Sequence, residues 1–163
     1  MLHRLYYHVV WTTREREPLI GAGLARFLCR FLRGVARQER TTILEIGMVR
    51  THVHLLVRTH PTTDLSRLLQ RLKGGSAMIA GRERHSSEGK SLRGAKGYSI
   101  HTVGARSLVA AREYLRGQPA HHPEQAIPQW PGDDPEYEAS GQDEWQSEYR
   151  RLSVGSPGQR RRG

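Results

Sequence analysis

Residues 41–59 read TTILEIGMVRTHVHLLVRT, and this stretch decides the fold because it holds two strands with no helix between them. Isoleucine, leucine, valine and threonine dominate both halves, and these residues favour extended structure. We predict one strand at residues 41–49 and, after a two-residue link, a second strand at residues 52–59. The apolar residues that alternate onto one face of the first strand are Leu44, Ile46 and Met48.

On each side of this stretch the sequence predicts one helix and one strand, with a further helix at the C-terminal side. Apolar residues at spacings of three and four indicate the helices, and branched or aromatic residues indicate the strands. The simplest fold with this order is a ferredoxin-like β-α-β-β-α-β unit. We therefore predict an α+β protein with an antiparallel ferredoxin-like sheet and an added C-terminal helix carrying Tyr114. The outer elements are a strand at 2–12, a helix at 19–36, a helix at 64–79, a strand at 98–103 and a helix at 107–115.

Composition divides the chain near residue 122. The 163 residues suit a single domain. Six of the eight prolines lie at position 119 or beyond, and residues 119–163 carry 8 acidic against 5 basic residues. We predict a folded domain at residues 1–122 and an acidic, Pro-rich, largely disordered tail at residues 123–163.

Several protein classes are disfavoured. No run approaches the ~20 apolar residues that a membrane span requires, so a membrane partner is not expected. The N-terminus has no small-residue cleavage site of a signal peptide. A single cysteine, Cys29, cannot form an internal disulfide. A cytoplasmic location is therefore expected.

Excess positive charge belongs to the body of the chain. Residues 1–118 hold 21 of the 26 Lys and Arg residues but only 8 of the 16 Asp and Glu residues. Such a surface favours a polyanionic partner, although a bias toward arginine codons would give the same composition. The candidate phosphate contacts on the second predicted helix are Arg67, Arg71 and Lys73, whose alternative role is a solvated basic face.

The second central strand carries the pair His52–Val53–His54. Side chains two apart on a strand project from one face, about 6.6 Å from each other, so both imidazoles could bind one ion. The alternative is two partly exposed histidines on an open sheet face.

Tyr114 and Gln118 are four residues apart and therefore share one face of a helix. Tyrosine offers a phenolic oxygen as nucleophile, and glutamine offers a neutral carbonyl oxygen as ligand. The alternative for Tyr114 is a tyrosine packed on the sheet.

Together with these pairs, several phrases resemble the single-tyrosine HUH transposases, the family that includes REP-associated tyrosine transposases. The resemblance spans roughly residues 3–122. Two positions depart from the family pattern: Thr51 stands where an acidic residue usually precedes the first histidine, and residues 93–96 lack the usual tryptophan. The phrases that carry the resemblance are Tyr7–Thr13, Leu72–Gly74, Gly97–Gly104 and Gln118–His122.

The resemblance implies a catalytic domain in which His52, His54 and Gln118 bind a divalent ion and Tyr114 is the nucleophile. Two imidazoles and an amide oxygen suit Mg²⁺ or Mn²⁺. Family members are ferredoxin-like dimers, so a homodimer is expected. The sequence leaves open whether Tyr114 serves its own subunit or the other one.

The expected function is a metal-dependent single-stranded DNA transposase or endonuclease. It would nick and rejoin hairpin-bearing DNA through a 5′-phosphotyrosine intermediate. One alternative is a domesticated, catalytically silent protein that binds single-stranded DNA or hairpins. Another is a metal-dependent hydrolase in which the ion activates water.

Overall fold

The computed structural model describes residues 4–82 and 93–133, without the side chains of residues 79–82. Four strands form one sheet in the order β2-β3-β1-β4, and every neighbouring pair is antiparallel. This order and the intervening helices confirm the predicted ferredoxin-like α+β fold. The strands are β1 (Leu5–Thr12), β2 (Thr41–Val49), β3 (His52–Thr59) and β4 (Ser99–Val103).

The helices also follow the predicted order. Between α2 and α3, the segment Gln70–Gly74 forms a wider π-helical turn that keeps the helix continuous through its two glycines. A β-carbon on Gly75 would lie 2.9 Å from Phe31 Cζ, so this glycine lets α3 approach α1. The helices are α1 (Ala22–Gln38), α2 (Leu65–Leu69), α3 (Gly75–Arg82), α4 (Leu108–Arg116) and α5 (Gln118–His121).

Different helices pack on the two faces of the sheet. Trp11 of β1 and Val53 of β3 line a small internal space with Leu28 of α1 and Ser76 of α3. Side chains at the alternate positions of β2 and β3 face α4 and α5 instead, as the contact of Gly47 with Leu115 demonstrates. The face under α4 therefore receives the histidines of β3.

One detail of β2 differs from the sequence prediction. Ile43 lies opposite Val57 and Glu45 lies opposite Leu56, which leaves Leu44 as the extra residue of a β-bulge. The bulge shifts the alternation, so Ile43 replaces Leu44 on the face toward α1. Glu45 shares the other face with Gly47, as ordinary alternation over residues 45–49 predicts.

The compact unit extends to Asp133, beyond the predicted boundary at residue 122. Ile127 is buried, and the backbone amide of Arg50 donates to the carbonyl of Gln125 at 2.8 Å. Asp133 forms an ion pair with Arg33 of α1. These contacts place residues 123–133 on the body of the domain. The rest of the predicted tail and residues 83–92 lie outside the described residues.

Among the helices that the structure describes, none is long and apolar enough to cross a membrane.

Candidate active site

His52 and His54 lie side by side on the face of β3 that is covered by α4 and α5. Their ring centroids are 5.0 Å apart, and the two residues are only 9% and 6% exposed. Because every second residue of a strand faces the same side, the predicted pairing of these rings follows directly from His-x-His. Both histidines are therefore more buried than they would be on an open sheet face, which was the alternative interpretation.

Gln118, the first residue of α5, contacts this histidine pair through His52. Its side chain is completely buried, and its Oε1 lies 3.3 Å from His52 Nε2. The helix is interrupted at Gly117, between α4 and α5, so Tyr114 and Gln118 lie on successive helices instead of one. The two residues nevertheless remain close across this interruption: Gln118 Nε2 donates a hydrogen bond to the Tyr114 carbonyl at 3.4 Å.

Tyr114 lies over the histidines with its ring half exposed, at 46%. Its ring centroid is 5.9 Å from that of His54 and 5.3 Å from that of His121. Such exposure speaks against a tyrosine packed in the core. The phenol remains open to a ligand while its ring contacts the cluster.

Three further histidines complete the cluster, although the sequence did not single them out as site residues. His8 Nε2 lies 2.9 Å from His54 Nδ1, and the His122 ring lies 5.1 Å from that of His52. His121 contacts Tyr114 as described above. Only the pairing of β1 with β3 places His8 at the site. Val10 of β1 lies opposite His54, and His8 is two residues from Val10 on the same face of the sheet.

The donor set fits a divalent ion. His52 Nε2 lies 3.3 Å from Gln118 Oε1, and the His54 ring centroid lies 5.0 Å from that of His52. Within residues 4–82 and 93–133, no three His, Cys, Asp or Glu side chains are placed to hold an ion. With the Gln118 amide as third ligand, the set would be two imidazoles and one amide oxygen, which suit Mn²⁺ or Mg²⁺.

Burial keeps these histidines neutral. Burial, followed by the nearby His52, His8 and His122, lowers the pKa of His54 to about 3. Burial also lowers the pKa of His52, although the hydrogen bond with Gln118 opposes this shift. Neutral imidazoles have the free lone pair that metal binding requires.

Acid is expected to destabilise the fold through His54. Because the pKa of His54 is 6.5 in the unfolded chain and about 3 in the folded one, the unfolded state binds the extra proton. Stability is complete above the unfolded pKa and falls as the pH drops toward the folded pKa. Between about pH 6.5 and about pH 4.5 the loss is about 2 kcal/mol. Urea unfolding at about pH 6.5 and about pH 4.5 measures this loss. A His54→Leu variant should lose less, and equal losses would contradict the assignment.

Gly47 of β2 lets α4 and α5 approach the sheet. A β-carbon there would lie 2.4 Å from the Leu115 carbonyl oxygen and 3.1 Å from Gln118 Cγ. We expect Gly47→Ala to destabilise the protein by about 1–3 kcal/mol and to weaken Mn²⁺ binding, because backbone and ligand must both move. Urea unfolding and calorimetric titration measure these effects. Gly104→Ala is the control, since a β-carbon at Gly104 would meet no atom of the described residues within 4 Å beyond its chain neighbours. Equal behaviour of the two variants would contradict this role of Gly47.

The three basic candidates on the second predicted helix lie away from the cluster. Arg67 and Arg71 form ion pairs with Glu39. Lys73 lines the internal space on the opposite sheet face, where its Nζ donates to the carbonyls of Ala95 and Gly97. Arg67 and Arg71 are thus held at Glu39, whereas Lys73 lies at an internal space that His52 also borders.

Basic residues on the site face come from α4. Arg112 and Arg116 pair with the Glu45 carboxylate at 3.4 and 3.0 Å. Glu45 reaches these arginines because it alternates with Gly47 onto the sheet face that α4 covers. These pairs tie α4, and with it Tyr114, to the sheet edge.

Known proteins resemble the chain in sequence and in fold. An ISDra2 transposase TnpA from Deinococcus radiodurans is 29% identical over 76 residues, which are 47% of this chain and 54% of that protein. The chain therefore matches about half the length of this curated relative. A crystal structure of a candidate transposase from Deinococcus radiodurans R1 superposes with a TM-score of 0.56 at 23% identity, over 72% of this chain and 93% of that one.

A REP-associated tyrosine transposase bound to a REP hairpin gives a TM-score of 0.56 at 13% identity, over 74% of this chain and 70% of that one. At such identities these two structures establish the fold alone. The family model for IS200-like transposases matches residues 1–118, which include all four strands, Tyr114 and Gln118. The chain therefore belongs to the IS200-like transposase family.

Proposed function

We propose that this protein is a metal-dependent transposase or endonuclease that nicks and rejoins single-stranded DNA at hairpin-bearing sites. One observation carries the proposal: the half-exposed phenol of Tyr114 lies beside the buried set of His52, His54 and Gln118. A nucleophile next to neutral metal ligands is the arrangement that phosphoryl transfer to tyrosine requires. Family membership and the hairpin-bound structural neighbour support the same substrate class.

Each residue has a distinct part in the reaction. The Tyr114 oxygen, after losing its proton, attacks the scissile phosphorus and the P–O3′ bond breaks. The released 3′ oxygen takes up a proton, and the DNA 5′ phosphate remains linked to Tyr114. His52, His54 and Gln118 would hold the divalent ion, which would supply positive charge to the phosphate oxygens.

The covalent link explains why a tyrosine is used. Hydrolysis would discard the energy of the phosphodiester bond, whereas the phosphotyrosine retains it. Attack by another 3′-hydroxyl on the phosphorus reverses the step and joins the strands. A phenol is a weak acid, so deprotonation of the nucleophile needs help from the site.

Mn²⁺ and Mg²⁺ are the proposed ions, and a homodimer is the proposed assembly on the family resemblance. Tyr114 already lies 5.9 Å, ring to ring, from His54 of the same chain. This distance favours action of Tyr114 within its own subunit. A cytoplasmic location stays a prediction.

The second candidate is a catalytically silent protein that binds single-stranded DNA or hairpins. The observation that favours it is Thr51, which contacts His52 Nδ1 at 3.0 Å where relatives usually carry an acidic residue. A hydroxyl supports a metal-binding imidazole less strongly than a carboxylate does.

A covalent-adduct assay separates these functions. The protein is incubated with Mn²⁺ and labelled single-stranded hairpins, including palindromes that flank its own reading frame. A labelled protein–DNA band on a denaturing gel is expected. Binding without cleavage would establish the silent protein, and cleavage without adduct would establish a hydrolase.

Binding of single-stranded DNA is expected to weaken steeply with salt. Each phosphate neutralised by the Arg-rich body releases ~0.7 counterion, so the logarithmic slope counts the contacts. Residues 134–163 carry 6 acidic and 5 basic residues and should contribute little. Fluorescence anisotropy at several salt concentrations measures the slope. A chain ending at Asp133 should keep it, and a collapsed slope would assign binding to the deleted segment.

A further inference from the structure

His8 of β1 has a contact that the proposed reaction does not use. Its Nε2 lies 2.9 Å from His54 Nδ1, and the two rings stack with centroids 5.1 Å apart and planes 22° apart. Only one hydrogen atom can lie between these two nitrogens. One ring must therefore donate, and the other must accept.

The direction of this hydrogen bond follows from the role of His54. If His54 binds an ion through Nε2, that nitrogen carries no proton, and the proton resides on Nδ1. We propose that His8 is a positioning residue whose Nε2 accepts the Nδ1–H of His54, holding the His54 ring with its Nε2 lone pair free for the ion. This inference rests on the proposed function, since that function makes His54 a ligand.

His52 is held in a parallel way. Its Nδ1 lies 3.0 Å from Thr51 Oγ1, while its Nε2 is directed at Gln118 Oε1. Both histidines therefore have Nδ1 engaged by an uncharged partner. Without an ion, His52 Nε2 carries the proton that it donates to Gln118 Oε1, because an amide oxygen only accepts. The Thr51 hydroxyl can accept an Nδ1–H as well as donate, so it can support His52 with the Nε2 lone pair free when an ion binds.

The contact with His54 also excludes His8 as a direct metal ligand through Nε2. Its Nε2 is directed at His54 and not at Gln118 Oε1, so it is not placed as a ligand through that nitrogen. Its strand neighbour His101 lies opposite it in the register of β1 and β4 but is exposed. His101 thus provides a matched control of the same residue type on the same sheet.

Two measurements test the proposal on the full chain. Long-range ¹H–¹⁵N NMR of the metal-free protein reports which nitrogen of His54 carries the proton. Calorimetric titration with Mn²⁺ reports the affinity. The variants are His8→Leu, which cannot accept, His8→Gln, whose amide oxygen can accept, and the control His101→Leu.

We expect wild-type His54 to carry its proton on Nδ1. His8→Leu should weaken Mn²⁺ binding by about 10–100-fold and move the His54 proton toward Nε2, while His8→Gln restores most of both. His101→Leu should behave like wild type. A wild-type His54 protonated on Nε2 would overturn the proposal, as would unchanged Mn²⁺ affinity in His8→Leu.

The NMR result also separates this proposal from the proposed function. Absence of Mn²⁺ and Mg²⁺ binding in the wild type would contradict the metal-dependent function. The His54 tautomer would still be read without metal, and an Nε2–H form would contradict the role of His8 by itself. Because the His54 tautomer is measured on the wild-type protein, this test remains valid even where His8→Leu fails to fold.

Discussion

Tyr114→Phe is expected to abolish cleavage and the covalent adduct together, with a loss on the order of 10⁴-fold or more, because no other group replaces a missing nucleophile. The substitution keeps the ring and therefore its contacts with His54 and His121. Binding of DNA and of Mn²⁺ should persist, since the phenol oxygen contributes to neither. The adduct assay measures the first effect, and anisotropy and calorimetry measure the others.

Tyr98→Phe is the matched control. Tyr98 is 45% exposed, almost equal to the 46% of Tyr114, but no ring contact places it at the histidine cluster within the described residues. This variant should cleave like wild type. An adduct that persists in Tyr114→Phe and maps to Tyr98 by mass spectrometry would show that the nucleophile is misassigned.

His52→Ala and His54→Ala are each expected to abolish metal-dependent cleavage. Each removes one of the three proposed ligands, and two remaining neutral ligands would hold a divalent ion poorly, so Mn²⁺ affinity should fall by well over tenfold. Little apolar surface is lost with either ring. Calorimetric titration and the adduct assay measure the effects, and thermal unfolding checks that the fold persists.

His101→Ala serves as the control for both variants, because His101 is an exposed histidine on the same sheet. It should retain wild-type Mn²⁺ affinity and cleavage. Cleavage at the wild-type rate by His52→Ala or His54→Ala in the presence of metal would contradict the ligand assignment. Unfolding of both variants would instead assign these histidines a structural role.

The elements of this fold were predictable because their signals are local. The bounds of β2 and β3 coincide with the predicted strands at 41–49 and 52–59, since side-chain alternation is a property of neighbouring residues. The same alternation placed His52 beside His54. The spacing of four residues likewise placed Gln118 one turn from Tyr114, even though the helix breaks at Gly117.

Other features depended on which elements pair and pack. The bulge at Leu44 exists only in the register of β2 against β3, so alternation alone assigned Leu44 to the wrong face. Lys73 donates to carbonyls on the sheet face opposite the histidines, a placement that helical spacing does not reveal. Residues 123–133 pack on the body because Ile127 finds a buried position there.

By itself, the sequence determined the four strands, the helices between them and the set of His52, His54, Tyr114 and Gln118. These depend on periods of two and of 3.6 residues, which act over a few neighbours. Only the tertiary structure decided that His8, 46 positions from His54 along the chain, lies at hydrogen-bond distance from it. That contact depends on the register of β1 against β3, and burial of side chains from distant segments sets the register.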